Sequence, residues 1–143
     1  MKTFKSWMVI PTALAMLLTS AGVTRSETLQ ITPGFEPDPL VVNGTSGGTR
    51  TTKSCGQVGT TPNHVLQLNS DVNYLRLRLQ SSGQPTLLIE ESNGKSSCVP
   101  ADSFSAGVIE SPGYWQKGSY SIYIGDLAGG QHDYTLSISR SRN

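Results

Sequence analysis

Residue types able to do acid–base or nucleophilic chemistry are sparse in this chain. His64 and His132 are the 2 histidines in 143 residues, and neither stands in an HExxH spacing. A Ser–His–Asp relay could be assembled from His132, Asp133 and one of many serines. Adjacent strand residues point to opposite faces, however, so the pattern predicts two surface histidines near loops. Glu90 and Glu91 diverge for the same reason. Glycoside chemistry needs two carboxyls roughly 5–9.5 Å apart across a cleft, so these acids and Glu110 read as solvated strand ends. Cys55 and Cys98 are too few for a four-thiolate metal site, and neither lies in a CxxC spacing. No catalytic residue, metal or cofactor is expected.

Residues suited to binding are better represented. Tyr114-Trp115 lies in the turn-rich stretch Ser111-Pro-Gly-Tyr-Trp-Gln-Lys-Gly118. Aromatic rings on a loop can stack on sugars or anchor a protein partner. The same Trp115, just before a Gly-Ser-Tyr strand, could equally cap the core, and both readings stand. Tyr74, Arg76 and Arg78, with Tyr123, could form one outward polar and aromatic face, on which arginine favours carboxylate or sulfate groups. The candidate binding residues are therefore Tyr74, Arg76, Arg78, Tyr114 and Trp115. Asn43-Gly-Thr45 matches a glycosylation sequon.

The elements that must carry these residues are strands. In Val72-Asn-Tyr-Leu-Arg-Leu-Arg-Leu79, Leu75, Leu77 and Leu79 share one face and Tyr74, Arg76 and Arg78 the other, the period of a half-buried strand. His64 to Leu68, Ser119 to Ile124 and Asp133 to Ser139 alternate in the same way. Thr86 to Glu90 is a further strand, and Leu40 to Val42 and Ala106 to Ile109 are weaker ones. No window of the chain after residue 26 carries a convincing helical period. Asn93-Gly94 marks a hairpin, since both residues tolerate positive φ. A two-residue loop there pairs Ser92 with Lys95, and hence Ile89 with Cys98. Ile89 should face inward, so Cys98 should too. Strands separated by Gly, Asn and Pro define an all-β antiparallel β-sandwich.

The amino terminus reads as a secretory signal: a basic start with Lys2 and Lys5, an uncharged apolar run from Trp7 to Leu18, then small residues. Cleavage fits after Ala21 or Gly22, with Ser26 a later option. The apolar run is too short for a permanent span of about 20 residues. The domain plan is residues 1–22 as signal peptide, 23–39 as an extended arm or edge strand, and 40–143 as the sandwich. In an oxidising compartment two cysteines tend to pair, so a Cys55–Cys98 disulfide is expected. It would be worth about 4 kcal/mol in chain entropy. Formal net charge is +1 for the full chain, and without residues 1–26 acidic residues outnumber basic ones. That leaves no footprint for nucleic acid and no polybasic membrane anchor. A monomer, secreted or periplasmic, follows.

From His64 to Ser139 the chain resembles the bacterial pre-peptidase C-terminal domain, a jelly-roll-like sandwich. The features that match are the His64–Leu68 strand running into Leu-Asn-Ser, the Leu75-Leu77-Leu79 strand, Leu87-Leu88-Ile89 with Asn93-Gly94, then Lys117-Gly-Ser-Tyr-Ser-Ile-Tyr-Ile124 and Asp133-Tyr-Thr-Leu-Ser-Ile138. Pro33 to Leu40 and Gly44 to Gly48 are also similar to the opening of small exported cyanobacterial proteins of unknown role. The acids that often precede the family's central strand are replaced by Gly83-Gln-Pro-Thr86, and Val99-Pro-Ala-Asp102 keeps one carboxylate. Few of the carboxylates from which a calcium site would be built are therefore left, and Ca²⁺ takes six to eight oxygens. The resemblance implies the fold; the lack of catalytic residue types and the Tyr, Trp and Arg residues point to a non-catalytic accessory domain that binds an extracellular glycan or envelope polymer, centred on Tyr114 and Trp115. The alternative is a partner or inhibitor of an exported peptidase.

Overall fold

The computed structural model describes residues 26–142. The signal-peptide reading of residues 1–22 lies outside the described residues. Eleven strands run in chain order: β1 Glu27–Ile31, β2 Leu40–Thr45, β3 Arg50–Thr51, β4 Gln57–Val58, β5 His64–Leu68, β6 Val72–Ser81, β7 Pro85–Glu91, β8 Ser96–Pro100, β9 Val108–Trp115, β10 Gly118–Asp126 and β11 Asp133–Ser139. They form two sheets. Sheet A has seven strands, β1-β5-β10-β4-β3, with β7 on the other side of β10 and β8 beyond it; sheet B is β2-β11-β6-β9. Every pairing is antiparallel except β1 with β5. The chain is an all-β sandwich with one disulfide, Cys55–Cys98.

The period-two residues fill the space between the sheets. Leu66, Leu68, Leu87, Ile122 and Ile124 of sheet A are fully buried against Leu75, Leu77, Leu79, Leu136 and Ile138 of sheet B. Each such side chain is worth about 1.5–3 kcal/mol relative to exposure. β1 belongs to the same core: it lies at a sheet edge, and Ile31 is fully buried. Phe35 follows it inward at 6 % exposure.

Two elements depart from the sequence expectation. The first is the hairpin at Asn93-Gly94, whose loop holds three residues and not two. The Glu91 N–H donates to the Lys95 carbonyl at 2.8 Å, and the Asn93 side chain accepts the Lys95 N–H at 2.9 Å. Gly94 takes the left-handed position at φ 93°, as in a turn closed by a bulge. One extra loop residue shifts the register so that Leu88 pairs with Cys98 and Ile89 with Ser97. A one-residue slip moves every side chain to the opposite face. Cys98 therefore points outward, not inward, and the disulfide lies on the outer side of sheet A.

There it closes a second, smaller core. Cys55 and Val58 from the segment around β4 pack on Leu88 and Tyr123, with Cys98 beside them. The Thr86 hydroxyl donates to the Cys55 carbonyl at 2.7 Å, and the Arg50 guanidinium sits 4.7 Å from the centre of the Tyr123 ring. Tyr123 is thus on the other sheet from Tyr74 and does not share a face with it.

The second departure is Ser111 to Trp115, expected to be turn-rich and found as the body of β9. Pro112 is tolerated because β9 is the edge strand of sheet B, where the missing N–H breaks no ladder.

Candidate functional site

The outer face of sheet B is built by β6 and its two neighbours. Because β6 turns its leucines inward, Tyr74, Arg76 and Arg78 must point out, along about 13 Å of strand. A bulge lies between Val72 and Leu75: Val72 pairs with Trp115 and Leu75 with Gly113, so Asn73 and Tyr74 together oppose Tyr114. Bulges re-aim side chains in this way, and this one brings Tyr74 and Tyr114 to the same corner. The Arg142 guanidinium lies 4.1 Å from the Tyr74 ring centre. Tyr114 is 55 % exposed. Its hydroxyl donates to the Asp71 carboxylate, which raises the phenol pKa. The carboxyl of Asp71 is held below its ordinary range, first by the Lys117 N–H at 2.8 Å and then by Tyr114.

Further along, the strand register sets two rungs. Ser139, Arg76 and Pro112 lie side by side, as do Ser137, Arg78 and Glu110. Arg78 Nε stands 3.3 Å from Glu110 Oε2. Both arginines, Ser137, Ser139, Ser141 and Asp38 line a cleft of about 380 Å³. Asp38 is occupied, accepting from the Ser139 hydroxyl at 2.8 Å and lying 3.6 Å from Arg140 Nε. Guanidinium groups beside hydroxyls are a combination able to pair with a carboxylate or sulfate group.

Of the five candidate binding residues, four share this face. Trp115 does not. It is 8 % exposed and packs edge-on against Tyr120 with ring centres 4.7 Å apart. Adjacent strand residues alternate, so an exposed Tyr114 requires a core-facing Trp115. What remains of the indole surface lines a seam between β8 and β9 with Glu91, Lys95, Ser97 and Ser111.

One of the histidines differs from expectation as well. His64 is not on the surface; at 2 % exposure it faces inward from β5, and its Nε2 lies 2.7 Å from the Tyr134 hydroxyl of sheet B. Glu27 Oε1 is 3.4 Å from Nδ1. Burial lowers the His64 pKa, against a raising effect of Glu27, and desolvation pushes Tyr134 up to about 12. An inward His at the first position of an alternating strand was legible in His64-Val-Leu-Gln-Leu68.

His132 pairs with the buried Asp126 at 3.6 Å, not with Asp133, and its Nδ1 is 3.2 Å from the Ser82 hydroxyl. Asp126 also accepts the N–H groups of Gln84 and Ala128, so it organises turns. A further spacing that sequence reasoning passed over, Gly44-x-Ser46-x-Gly48, matches a nucleophile elbow. Its strand is present, but no helix follows it. Ser46 is fully buried, with its hydroxyl accepting the His132 N–H at 3.1 Å. That arrangement ties loops together and displays no nucleophile. Among the described residues no three His, Cys, Asp or Glu side chains converge as metal ligands.

The geometry defines a pre-peptidase C-terminal-like β-sandwich. The fold is similar to that of the pre-peptidase C-terminal domain of collagenase from Bacillus anthracis, with a TM-score of 0.50 and 16% identity over 80% of this chain and 97% of that one. No family model matches the chain. An uncharacterized protein of Synechococcus elongatus is 31% identical over 140 residues, covering 95% of this chain and 96% of that protein. The chain belongs to the same family as that cyanobacterial protein. The disulfide and the fold fit an extracytoplasmic location.

Proposed function

We propose that the protein is an exported, non-catalytic accessory module that holds an acidic extracellular or envelope polymer on the outer face of sheet B. The observation that carries this reading is the row of Tyr74, Arg76 and Arg78 on one strand, with Tyr114 brought to its end by the bulge and serines flanking the arginines. Guanidinium groups pair with carboxylate or sulfate, and tyrosine rings stack on sugar faces. The module is secreted or periplasmic and acts as a monomer.

The test is affinity electrophoresis of residues 23–143 in gels containing alginate or a sulfated glycan. Wild type should be retarded, with the retardation weakening as salt rises. Arg76→Gln/Arg78→Gln should lose it, and Tyr114→Ala should weaken it. Migration unaffected by any acidic polymer would overturn the reading.

A second reading, a protein partner such as an exported peptidase, is supported by Phe104. Its side chain is 94 % exposed on a turn fixed by the Asp102 carboxylate, which accepts the Phe104 N–H at 2.8 Å. Large exposed aromatics are typical interface anchors. A photo-crosslinking residue at position 104 in exported material should then capture one discrete protein, and a smear or nothing would count against it.

A further inference from the structure

A second cleft lies away from the outer face of sheet B. It lies at the end of the sandwich where β2 finishes and β5 and β11 begin, and its volume is about 530 Å³. That falls within the 300–1,000 Å³ of small-molecule sites. Its floor is rigid. His64 and Tyr134, one from each sheet, meet there edge to face with ring centres 5.8 Å apart and His64 Nε2 2.7 Å from the Tyr134 hydroxyl, and both are under 4 % exposed. Asn63 braces the wall beside them, donating to the Thr45 carbonyl at 3.2 Å and accepting the Ile124 N–H at 2.9 Å. Gly44 completes the shape, because a Cβ there would overlap the Tyr134 hydroxyl.

The chemistry of the walls is distinctive. Asn43, Thr45, Thr49, Thr60, Thr61 and Gln131 line the cleft with amides and hydroxyls, and neither Lys nor Arg does. The single ionised group on the wall is Glu27, whose side chain is 56 % exposed. A carboxylate at the mouth disfavours anions, so this cleft and the sheet B face select opposite ligand types. Uncharged amides and hydroxyls are best satisfied by a ligand that carries many donors and acceptors of its own and no net charge. Glu27 serves such a ligand as a strong acceptor.

We propose that this cleft is a second binding site, distinct from the sheet B face, and that it takes a neutral sugar unit or short neutral oligosaccharide. Binding there consists of hydrogen bonds from ligand hydroxyls to the Asn, Thr and Gln side chains above a floor already held in place, so little ordering is needed.

The experiment is an amide-resolved NMR titration of residues 23–143 with maltotriose, cellotriose, xylotriose and triacetylchitotriose, and with galacturonic acid trimer as the acidic control. At least one neutral trisaccharide should shift the amides of Thr45, Thr60 and Gln131 saturably, with a Kd at or below about 1 mM. Thr60→Ala/Gln131→Ala, both at exposed positions that leave the core untouched, should weaken it about tenfold, as the loss of two hydrogen bonds implies. Arg76→Gln/Arg78→Gln should leave it unchanged. The inference is overturned if no neutral sugar shifts these amides at about ten times that concentration, if the shifts fall on β6 and β9, or if the acidic trimer binds the cleft equally well.

Discussion

The outer face of one sheet is covered and that of the other is open. On sheet A the segment from Arg50 to Val58 lies over β7 and β10 and is fastened by Cys55–Cys98, so Leu88 and Tyr123 are buried although they point away from the main core. On sheet B the corresponding row, Tyr74, Arg76 and Arg78, stays half-exposed. The sequences of the strands carry this difference. Leu87-Leu88-Ile89 is a continuous apolar run, the mark of a strand covered on both sides, whereas Leu75-x-Leu77-x-Leu79 alternates with polar residues and leaves one side for water or a ligand. A covered face spends its side chains on stability; an open one with arginine and tyrosine is where recognition is to be sought.

The sharpest version of that contrast falls within one dipeptide. Trp115→Ala should cost about 3–5 kcal/mol, as aromatic-to-alanine changes in cores do, read as a lower urea midpoint. Tyr114→Ala should stay within about 0.5 kcal/mol, as surface changes do, and appear in polymer retention alone. Equal losses from both would erase the distinction between the two sides of β9.

Removing the cover of sheet A comes next in size. Cys55→Ser/Cys98→Ser should lose about 2–4 kcal/mol, the usual worth of a native disulfide, while the leucine core between the sheets keeps the domain folded. Retention on acidic polymer should not change, because Arg76 and Arg78 lie on the far sheet. Lost retention in a still-folded variant would mean the two faces are coupled.

Much of this architecture was readable from period-two alternation alone, and the inner core followed wherever a leucine or isoleucine recurred at every second position. What escaped reading had specific physical causes. The Asn93-Gly94 signal is compatible with loops of two or three residues, and choosing between them decides the face on which Cys98 lies. Pro112 and Gly113 look like a turn, yet an edge strand accepts both. Tyr123 alternates like Tyr74, but strand alternation does not say which sheet a strand joins. His64 is expected on the surface near a loop, yet Leu66 and Leu68 mark its side of β5 as the buried one. On the candidate site, the β6 row was legible from its own spacing, while the bulge that delivers Tyr114 beside Tyr74 exists only in the pairing of two strands.

The buried histidine gives the fold a pH signature that the open face lacks. Burial depresses the His64 pKa, with Glu27 of β1 and Tyr134 of β11 as the titratable groups facing it. A neutral imidazole is favoured in the folded state, whereas the unfolded chain takes up a proton near pH 6.5. The stabilising contribution is therefore complete above about pH 6.5 and is lost as pH falls from there toward the folded pKa. Thermal unfolding between about pH 7.5 and 5 should show Tm falling over this window, and His64→Gln should flatten the fall. An unchanged profile in the variant would assign the decline to other groups.

The smallest expected effect on stability is the most informative about recognition. Arg78 and Glu110 form an exposed cross-strand pair, with side chains 43% and 48% exposed. Such pairs contribute about 0–1 kcal/mol because solvent and salt screen them. Glu110→Gln should accordingly shift the urea midpoint little. It also removes the negative charge that competes with an incoming carboxylate or sulfate for Arg78, so retention on acidic polymer should rise, most clearly at low salt. Glu90→Gln, which releases Arg50 on the covered sheet A, should leave retention unchanged. Both variants neutralise one acid and alter net charge equally. A rise in retention for both would therefore reduce the effect to overall charge, and a rise for Glu110→Gln alone would place it on the row that β6 presents.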